Sequence, residues 1–169
     1  MALTLIGGGS RSGKSRHALE LAAGRGSRLA FVATATPSDA EMAERIRRHQ
    51  EERGPGWTTF EEPLHLASLI EARGAEFDAI VIDCMTLWLS NRMCAGLDDY
   101  DTAVAALCRS CSRTPADVFA VTNEVGCGIV PENELARRFR DIAGRANQQL
   151  AAAADAVIWM VFGIAMKVK

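Results

Sequence analysis

The sequence has little that would favour a membrane protein, a nucleic-acid-binding protein or a secreted one. Its apolar runs are all shorter than the roughly 20 residues that a membrane-spanning helix needs. Lys and Arg number 19 against 21 Asp and Glu, and the net charge of −2 leaves no basic surface for nucleic acid. The first residues lack a basic segment before an apolar core, so no secretory signal is indicated. We therefore expect a cytoplasmic protein with no membrane span and no nucleic acid as a partner.

The chain also lacks the cysteine pattern of a disulfide framework. It has five cysteines, and an odd number in a protein expected in the cytoplasm argues against paired disulfides. Cys108 and Cys111 have the C-x-x-C spacing of a zinc site, but there is no second pair and no nearby histidine. Ordinary packing on a helix is the favoured interpretation of these two residues.

The pattern that is present predicts an α/β fold. At 169 residues the chain has the length of one domain, and we predict a single domain over residues 1–169. Short apolar runs rich in Val, Ile and Phe alternate with helical patterns, which predicts a mostly parallel central sheet flanked by helices. The predicted strands are residues 3–7, 29–33, 79–83, 118–122 and 156–162. The predicted helices are residues 14–23, 39–53, 64–73, 86–94, 101–111 and 132–154.

One motif lies at the junction between the first predicted strand and the first predicted helix. It matches the phosphate-loop pattern G-x-x-x-x-G-K-[ST] at every fixed position. Its residues are Gly8, Gly9, Ser10, Arg11, Ser12, Gly13, Lys14 and Ser15. Glycines let backbone N–H groups approach phosphate oxygens, and the helix start adds unpaired N–H groups and a positive dipole end. We predict that this loop binds a nucleoside triphosphate, with Lys14 on the β- and γ-phosphates and Ser15 on Mg²⁺.

Ligands of an open parallel sheet bind outside the carboxyl ends of its strands, so the residues after each strand are candidates. Asp83 ends the third predicted strand and is expected to help hold Mg²⁺, although an acidic residue can also simply cap a strand end. Asn123 and Glu124 follow the fourth predicted strand and are candidates for ligand contact. Apolar residues in the loop that follows predict that part of it is buried or at an interface: Val125, Ile129 and Val130.

Two helical stripes carry further predictions. His49 lies on one helix face with Met42 and Ile46, which leaves two interpretations open: packing at the edge of the core, or a nucleophile aimed into a cleft. At pH 7 a histidine with a pKa of about 6.5 is mostly neutral, which suits attack on phosphorus. In the last helix a stripe of apolar residues predicts core packing: Leu135, Phe139, Ile142, Ala146 and Leu150.

Several of these segments together resemble a known family. They are residues 7–16, 33–35, 39–46, 122–133 and 138–148. The chain resembles the bifunctional adenosylcobinamide kinase/adenosylcobinamide-phosphate guanylyltransferases of cobalamin biosynthesis. The resemblance implies a RecA-like P-loop NTPase fold and two reactions. ATP or GTP first phosphorylates adenosylcobinamide, and GMP then passes from GTP through a guanylylated histidine to give adenosylcobinamide-GDP.

The resemblance also implies site residues and an assembly. The guanylylated histidine matches His49, which would be catalytic together with Lys14. Nucleotide contacts would come from the phosphate loop and from Ala33, Thr34, Ala35, Gln50, Glu51, Glu52, Arg53, Glu61 and Asp83. The metal would be Mg²⁺ on Ser15 and Asp83, and the protein would be a homotrimer with sites between subunits. Two alternatives stay open: a small-molecule kinase with no covalent step, and a nucleotide-dependent switch or assembly ATPase.

Overall fold

The computed structural model describes residues 2–35 and 56–169, and these residues build one seven-stranded sheet. Its strands are β1 Leu3–Gly8, β2 Leu29–Ala33, β3 Trp57–Glu61, β4 Ala79–Asp83, β5 Asp117–Val121, β6 Ala156–Val161 and β7 Ile164–Lys167. The strand order is β3-β2-β4-β5-β1-β6-β7. All neighbours are parallel except the β6–β7 hairpin, which is antiparallel. The first strand of the chain therefore lies well inside the sheet, between two strands from the last third of the sequence.

Helices cover both faces of the sheet. They are α1 Lys14–Ala23, α2 Leu66–Arg73, α3 Met85–Cys94, α4 Tyr100–Arg113 and α5 Glu134–Ala153, with a short 3₁₀ turn at Gly74–Glu76. The apolar residues of α1 pack in one core cluster, while those of α2, α4 and α5 pack in a second, larger cluster on the opposite face. Both faces of the central strands are thus buried, as parallel strands require.

Strand β5 shows how the two clusters divide the sheet. Phe119 and Val121 belong to the cluster that α1 covers, and Val118 and Ala120 belong to the larger one. Successive side chains of a strand point to opposite faces, so this alternation identifies which face each later residue of the segment reaches.

The sequence predicted these elements with two omissions. Every predicted strand and every predicted helix within the described residues is present, with ends within two residues of those expected. The helix predicted over residues 39–53 lies outside the described residues. The missed elements are β3 and β7, the two edge strands. β3 is mostly exposed and lacks the continuous apolar run that identifies a buried strand, and β7 is only four residues long and fully exposed.

The side-chain prediction for Leu135 was wrong, whereas the loop after β5 was predicted to be partly buried or at an interface. Leu135, expected in the core stripe, is 58% exposed because it lies in the first turn of α5, beyond the edge of the larger cluster. Ile129 is 97% exposed and Val130 59% exposed, so the loop after β5 does not bury them against its own chain. Val125 does pack against the larger cluster.

No helix in the described parts of the chain is long and apolar enough to cross a membrane. Residues 2–35 and 56–169 also contain no group of three or more His, Cys, Asp or Glu side chains placed to hold a metal ion. Cys108 and Cys111 are free thiols; Cys111 is buried in the larger cluster, and Cys108 packs against it.

Candidate nucleotide site

The phosphate loop connects β1 to α1 and depends on glycine at its two ends. Gly8 has a φ of +146°, and a Cβ there would stand 2.6 Å from the backbone oxygen of Met160. Gly13 has a φ of +94° and is the residue at which α1 begins. Arg11, at the loop tip, has a φ of +54°, an arrangement that is uncommon for a residue with a side chain. The loop therefore has a fixed shape that ordinary residues would not adopt.

The start of α1 is arranged to receive an anion. Gly13 offers no side-chain cap, and the first turn contains no acidic residue. The first N–H groups of the helix thus have no side-chain acceptor within the described chain, and they carry the positive end of the helix dipole. A phosphate group is the natural partner for such an end. Ser15 lies in this turn and is half-buried.

Lys14 lies inside the loop and is only 7% exposed. Its Nζ donates to the backbone oxygen of Gly9 at 2.5 Å and to Ser12 Oγ at 3.4 Å. Burial lowers the pKa of Lys14, and the nearby charge of Asp83 opposes that shift. The Lys14 ammonium group is poorly solvated, and its two acceptors are neutral. A negatively charged phosphate oxygen would therefore be a stronger partner for it than either of them.

Asp83 lies at the end of β4, two strands away from β1 and on the α1 face. It follows Val81, which belongs to the cluster that α1 covers, so its side chain takes the same face. It is half-buried, and among the described residues its carboxylate has no hydrogen bond and no ion pair, while its backbone oxygen accepts from Thr34 N–H. The next side chain, Cys84, is buried, and burial raises the pKa of this thiol to about 11. Cys84 is therefore neutral at pH 7, and Asp83 is the negative group that faces Lys14.

Thr34 connects β2 to the residues around Asp83. Its side chain is 0% exposed, and its hydroxyl accepts from Cys84 N–H at 2.7 Å and donates to Cys84 O at 2.8 Å. Its backbone N–H donates to Asp83 O at 3.1 Å, and its backbone oxygen accepts from Asn91 Nδ2 at 2.7 Å. Each polar group of Thr34 already has a protein partner. The residue is thus placed to position the Asp83 segment.

The other predicted contacts form a second group at the same edge of the sheet. Ala33 ends β2 directly opposite Glu61, which ends β3. Ala35 is half-buried and Glu61 is exposed. Four strand spacings separate β3 from β1, which is about 19 Å at about 4.8 Å per strand. Glu61 therefore lies out of reach of the phosphate loop itself. In the sequence it follows the segment that carries the predicted nucleophile.

Some of the remaining predicted residues lie at the tip of the phosphate loop, and the others lie outside the described part of the chain. Gly9, Ser10 and Arg11 are exposed at the loop tip, where a ligand can reach them. His49 and the four residues that follow it, Gln50, Glu51, Glu52 and Arg53, lie outside the described residues. These five stay predictions.

A polar cluster after β5 was underestimated from the sequence. Thr122 Oγ1 donates to Asn147 Oδ1 at 2.7 Å, and Asn147 Nδ2 donates to Asn123 O at 3.4 Å. Glu124 N–H donates to Gly8 O at 3.2 Å. The segment after β5 thus forms hydrogen bonds both to α5 and to the first residue of the phosphate loop. The signal in the sequence was the row of polar residues directly after an apolar strand.

Known proteins resemble the chain over almost its whole length. Bifunctional adenosylcobalamin biosynthesis protein CobU of Salmonella typhimurium is 46% identical over 181 residues, which covers 99% of each chain. CobU of Escherichia coli is 43% identical with the same coverage. Protein CobP of Pseudomonas aeruginosa is 40% identical and covers 98% of this chain and 96% of its own.

Two solved structures share the fold at low identity. The RadB recombinase superposes with a TM-score of 0.52 at 18% identity and covers 94% of this chain and 73% of its own. A Pyrococcus horikoshii protein superposes with a TM-score of 0.56 at 10% identity, with 99% and 86% coverage. These similarities confirm the predicted RecA-like P-loop architecture. The family model for cobinamide kinase/cobinamide phosphate guanyltransferase, CobU, matches residues 4–168, and the chain belongs to this family.

Proposed function

We propose that this protein phosphorylates adenosylcobinamide with ATP or GTP and then transfers GMP from GTP to the product, as the bifunctional members of its family do. The observation that carries the proposal is the arrangement of Lys14 and Asp83. A buried ammonium and a carboxylate with no partner among residues 2–35 and 56–169 face one site at the carboxyl edge of the sheet, beside a helix start with no side-chain cap. That arrangement suits a nucleoside triphosphate with its metal.

In the first reaction the acceptor hydroxyl oxygen bonds to the γ-phosphorus, and the bond from that phosphorus to the β–γ bridging oxygen breaks. A nucleoside diphosphate and the hydroxyl proton are released. The protein supplies position and charge for this transfer. N–H groups of residues 8–15 hold the phosphate chain, and Lys14 exchanges its contact with Gly9 O for phosphate oxygens. The fixed shape that Gly8 and Gly13 impose on the loop holds those donors in place during the transfer.

We further propose Mg²⁺ as the metal. The carboxylate of Asp83 and the half-buried hydroxyl of Ser15 are hard oxygen ligands, which Mg²⁺ prefers. Few protein ligands suffice when phosphates supply the rest. Bound Mg²⁺ would neutralise charge on the phosphate oxygens. Thr34 would hold the Asp83 segment in position for this role through its bonds to Cys84.

In the second reaction we assign the nucleophile to His49. A nitrogen of the imidazole forms a bond to the α-phosphorus of GTP, and the bond to the departing pyrophosphate breaks. A phosphate oxygen of the corrinoid then attacks the same phosphorus, and the N–P bond breaks to release the imidazole. Ala33, Ala35 and Glu61 flank the segment that carries His49, so we assign them, with residues 50–53, to the guanylyl group.

We propose a cytoplasmic homotrimer with sites between subunits. Support comes from large apolar side chains that the described chain leaves exposed and that an assembly would cover. They are Ile129, Val130, Leu135, Phe162, Ile164, Met166 and Val168. Phe162 lies in the β6–β7 turn and is 96% exposed, and its neighbour Gly163 lies beside Gly13 of the phosphate loop. A subunit seated on this hairpin would therefore lie close to the nucleotide.

The test is labelling of the protein with α-labelled GTP and Mg²⁺, followed by challenge with acid and alkali. We expect a label that is acid-labile and alkali-stable, as a phosphoramidate of histidine is. His49→Ala should abolish labelling and leave corrinoid phosphorylation measurable. His65→Ala is the matched control, because His65 is exposed and lies outside the proposed site. Full labelling of His49→Ala would refute the proposed nucleophile.

The two alternatives predict different results in the same assays. A small-molecule kinase with no covalent step would phosphorylate its acceptor and take up no label. A switch or assembly ATPase would hydrolyse nucleotide at full rate, or change its oligomeric state, with no corrinoid present. Lys14→Ala should abolish both proposed reactions, because both use the same loop.

A further inference from the structure

The strand order places the end of β5 at the centre of the candidate site. β5 lies between β1, which leads into the phosphate loop, and β4, which ends at Asp83. Val121 is the register partner of Ile6 on one side and of Asp83 on the other. The residues directly after Val121 therefore pass between the phosphate loop and the Asp83 carboxylate.

The backbone stays extended beyond the last residue of β5. Thr122 N–H donates to Ile6 O at 2.9 Å, and Glu124 N–H donates to Gly8 O at 3.2 Å. This spacing of two residues continues the parallel ladder with β1 as far as Glu124. Side chains keep alternating along such a segment, so Asn123 takes the same face as Val121, which is the face that α1 covers. The Asn123 side chain thus lies on the face that Asp83 and Lys14 share.

Hydrogen bonds to α3 and α5 hold the backbone of Asn123 in place. Its N–H donates to Thr86 Oγ1 at 2.8 Å, in the first turn of α3, and its oxygen accepts from Asn147 Nδ2 at 3.4 Å. The side-chain amide is half-buried and has no hydrogen bond to any residue in the parts of the chain that the structure describes. A half-buried amide on a fixed backbone has two donors to offer a ligand.

We propose that the side-chain amide of Asn123 donates a hydrogen bond to the γ-phosphate of the bound nucleotide. This rests on the proposed function in one respect, that the loop holds a nucleoside triphosphate. Asn123 is favoured over Glu124, whose carboxylate is turned to the Gly126 N–H at 2.6 Å and would repel phosphate. The neutral amide would give the phosphate a further hydrogen bond beside that of Lys14, and it would place no additional charge next to Asp83. It would distinguish a triphosphate from a diphosphate.

The test compares two nucleotides on two variants. Asn123→Asp replaces the donor with a negative acceptor of the same size, and Asn123→Ala removes the amide and keeps the backbone bonds. We measure the Kd of a non-hydrolysable GTP analogue and of GDP, both with Mg²⁺. For Asn123→Asp we expect the Kd of the analogue to rise at least tenfold, and that of GDP to change less than threefold. For Asn123→Ala the change has the same pattern and a smaller size.

Asn133→Asp is the matched control. Asn133 is exposed and caps α5 by accepting from Ala136 N–H, a role that aspartate can also fill, so the same change of charge should leave both Kd values unaltered. An equal loss of affinity for both nucleotides in the Asn123 variants would overturn the proposal, because it would indicate a structural role. Unchanged binding of the analogue would overturn it too.

The outcome also separates this inference from the proposed function. If the parent protein transfers no phosphate to a corrinoid but Asn123→Ala loses its preference for the triphosphate, the inference stands and the proposed function fails. If the parent phosphorylates the corrinoid, we expect Asn123→Asp to lower kcat by about 10²-fold, the usual effect of losing one donor to developing charge. An unchanged kcat in that case would remove the inference alone.

Discussion

Replacing Thr34 with valine tests whether this residue positions the Asp83 segment. Thr34→Val keeps the shape and volume of the side chain and removes only its hydroxyl. That hydroxyl is completely buried and makes two hydrogen bonds to the backbone of Cys84, at 2.7 and 2.8 Å. The variant therefore isolates the contribution of these two bonds to stability.

The two bonds do not contribute equally. Cys84 O also accepts from Trp88 N–H at 3.1 Å, so it keeps one partner in the variant. Cys84 N–H has no such second bond among the described backbone contacts and is left unsatisfied in the core, which costs about 1–3 kcal/mol. Loss of the bond to Cys84 O adds about 0.5–1 kcal/mol. We expect the free energy of unfolding to fall by about 1.5–4 kcal/mol in total.

Urea and thermal unfolding measure the effect. A loss of this size corresponds to a Tm about 3–16 °C lower in a chain of this length. Thr34→Ser is the control, because it keeps the hydroxyl and loses one methyl group, at a cost of about 1 kcal/mol. The reasoning is refuted if Thr34→Val unfolds within 0.5 kcal/mol of the parent, roughly the error of the measurement. A variant that keeps its stability but loses nucleotide affinity would instead indicate direct contact with the ligand.

Three further outcomes are expected. Burial lowers the pKa of Lys14 below the usual 10.5, and bound phosphates should raise it again. Nucleotide binding should therefore take up protons, and the affinity should begin to fall at a pH below 10.5 as the pH rises. Calorimetry in buffers of different ionisation enthalpy measures this, and an affinity that is constant up to pH 10 contradicts it. Gly8→Ala should destabilise the protein and abolish nucleotide binding, while Gly9→Ala, where a Cβ meets nothing within 4 Å, should unfold like the parent. Thiol reagents should modify exposed Cys127 quickly and buried Cys84 only on unfolding, as mass spectrometry would show.

The sequence predicted most of the sheet because its central strands are buried on both faces. Residues 29–33 and 79–83 are uninterrupted apolar runs that end in a small or acidic residue, and they form β2 and β4 as predicted. Trp57–Glu61 contains two threonines and a glutamate and is largely exposed, so its pattern resembles a loop. It becomes a strand only because β2 offers a free edge to pair with.

Some residues of the candidate site could be predicted from a local sequence pattern, and others depend on the tertiary structure. The phosphate loop is local in sequence, so its spacing alone predicted Lys14 and Ser15. The place of Asn123 depends on β5 lying between β1 and β4, and strand order is a tertiary property that no local pattern contains. Thr34 was predicted as a nucleotide contact, but its neighbour Cys84 is 50 residues away in sequence, and only the folded chain brings the two together.

The central position of β1 has a consequence for how the chain acquires its structure during synthesis. Leu3 pairs with Val118, Thr4 pairs with Ala156, and Leu3 N–H donates to Asp155 Oδ2 at 2.8 Å. A ribosome that adds about 5–20 residues per second needs roughly 8–30 s between making β1 and making β6. Throughout that interval the nascent chain carries the apolar β1 segment without both of its final neighbours. The sheet around the phosphate loop is therefore completed only after β6 has been synthesised, long after the loop itself.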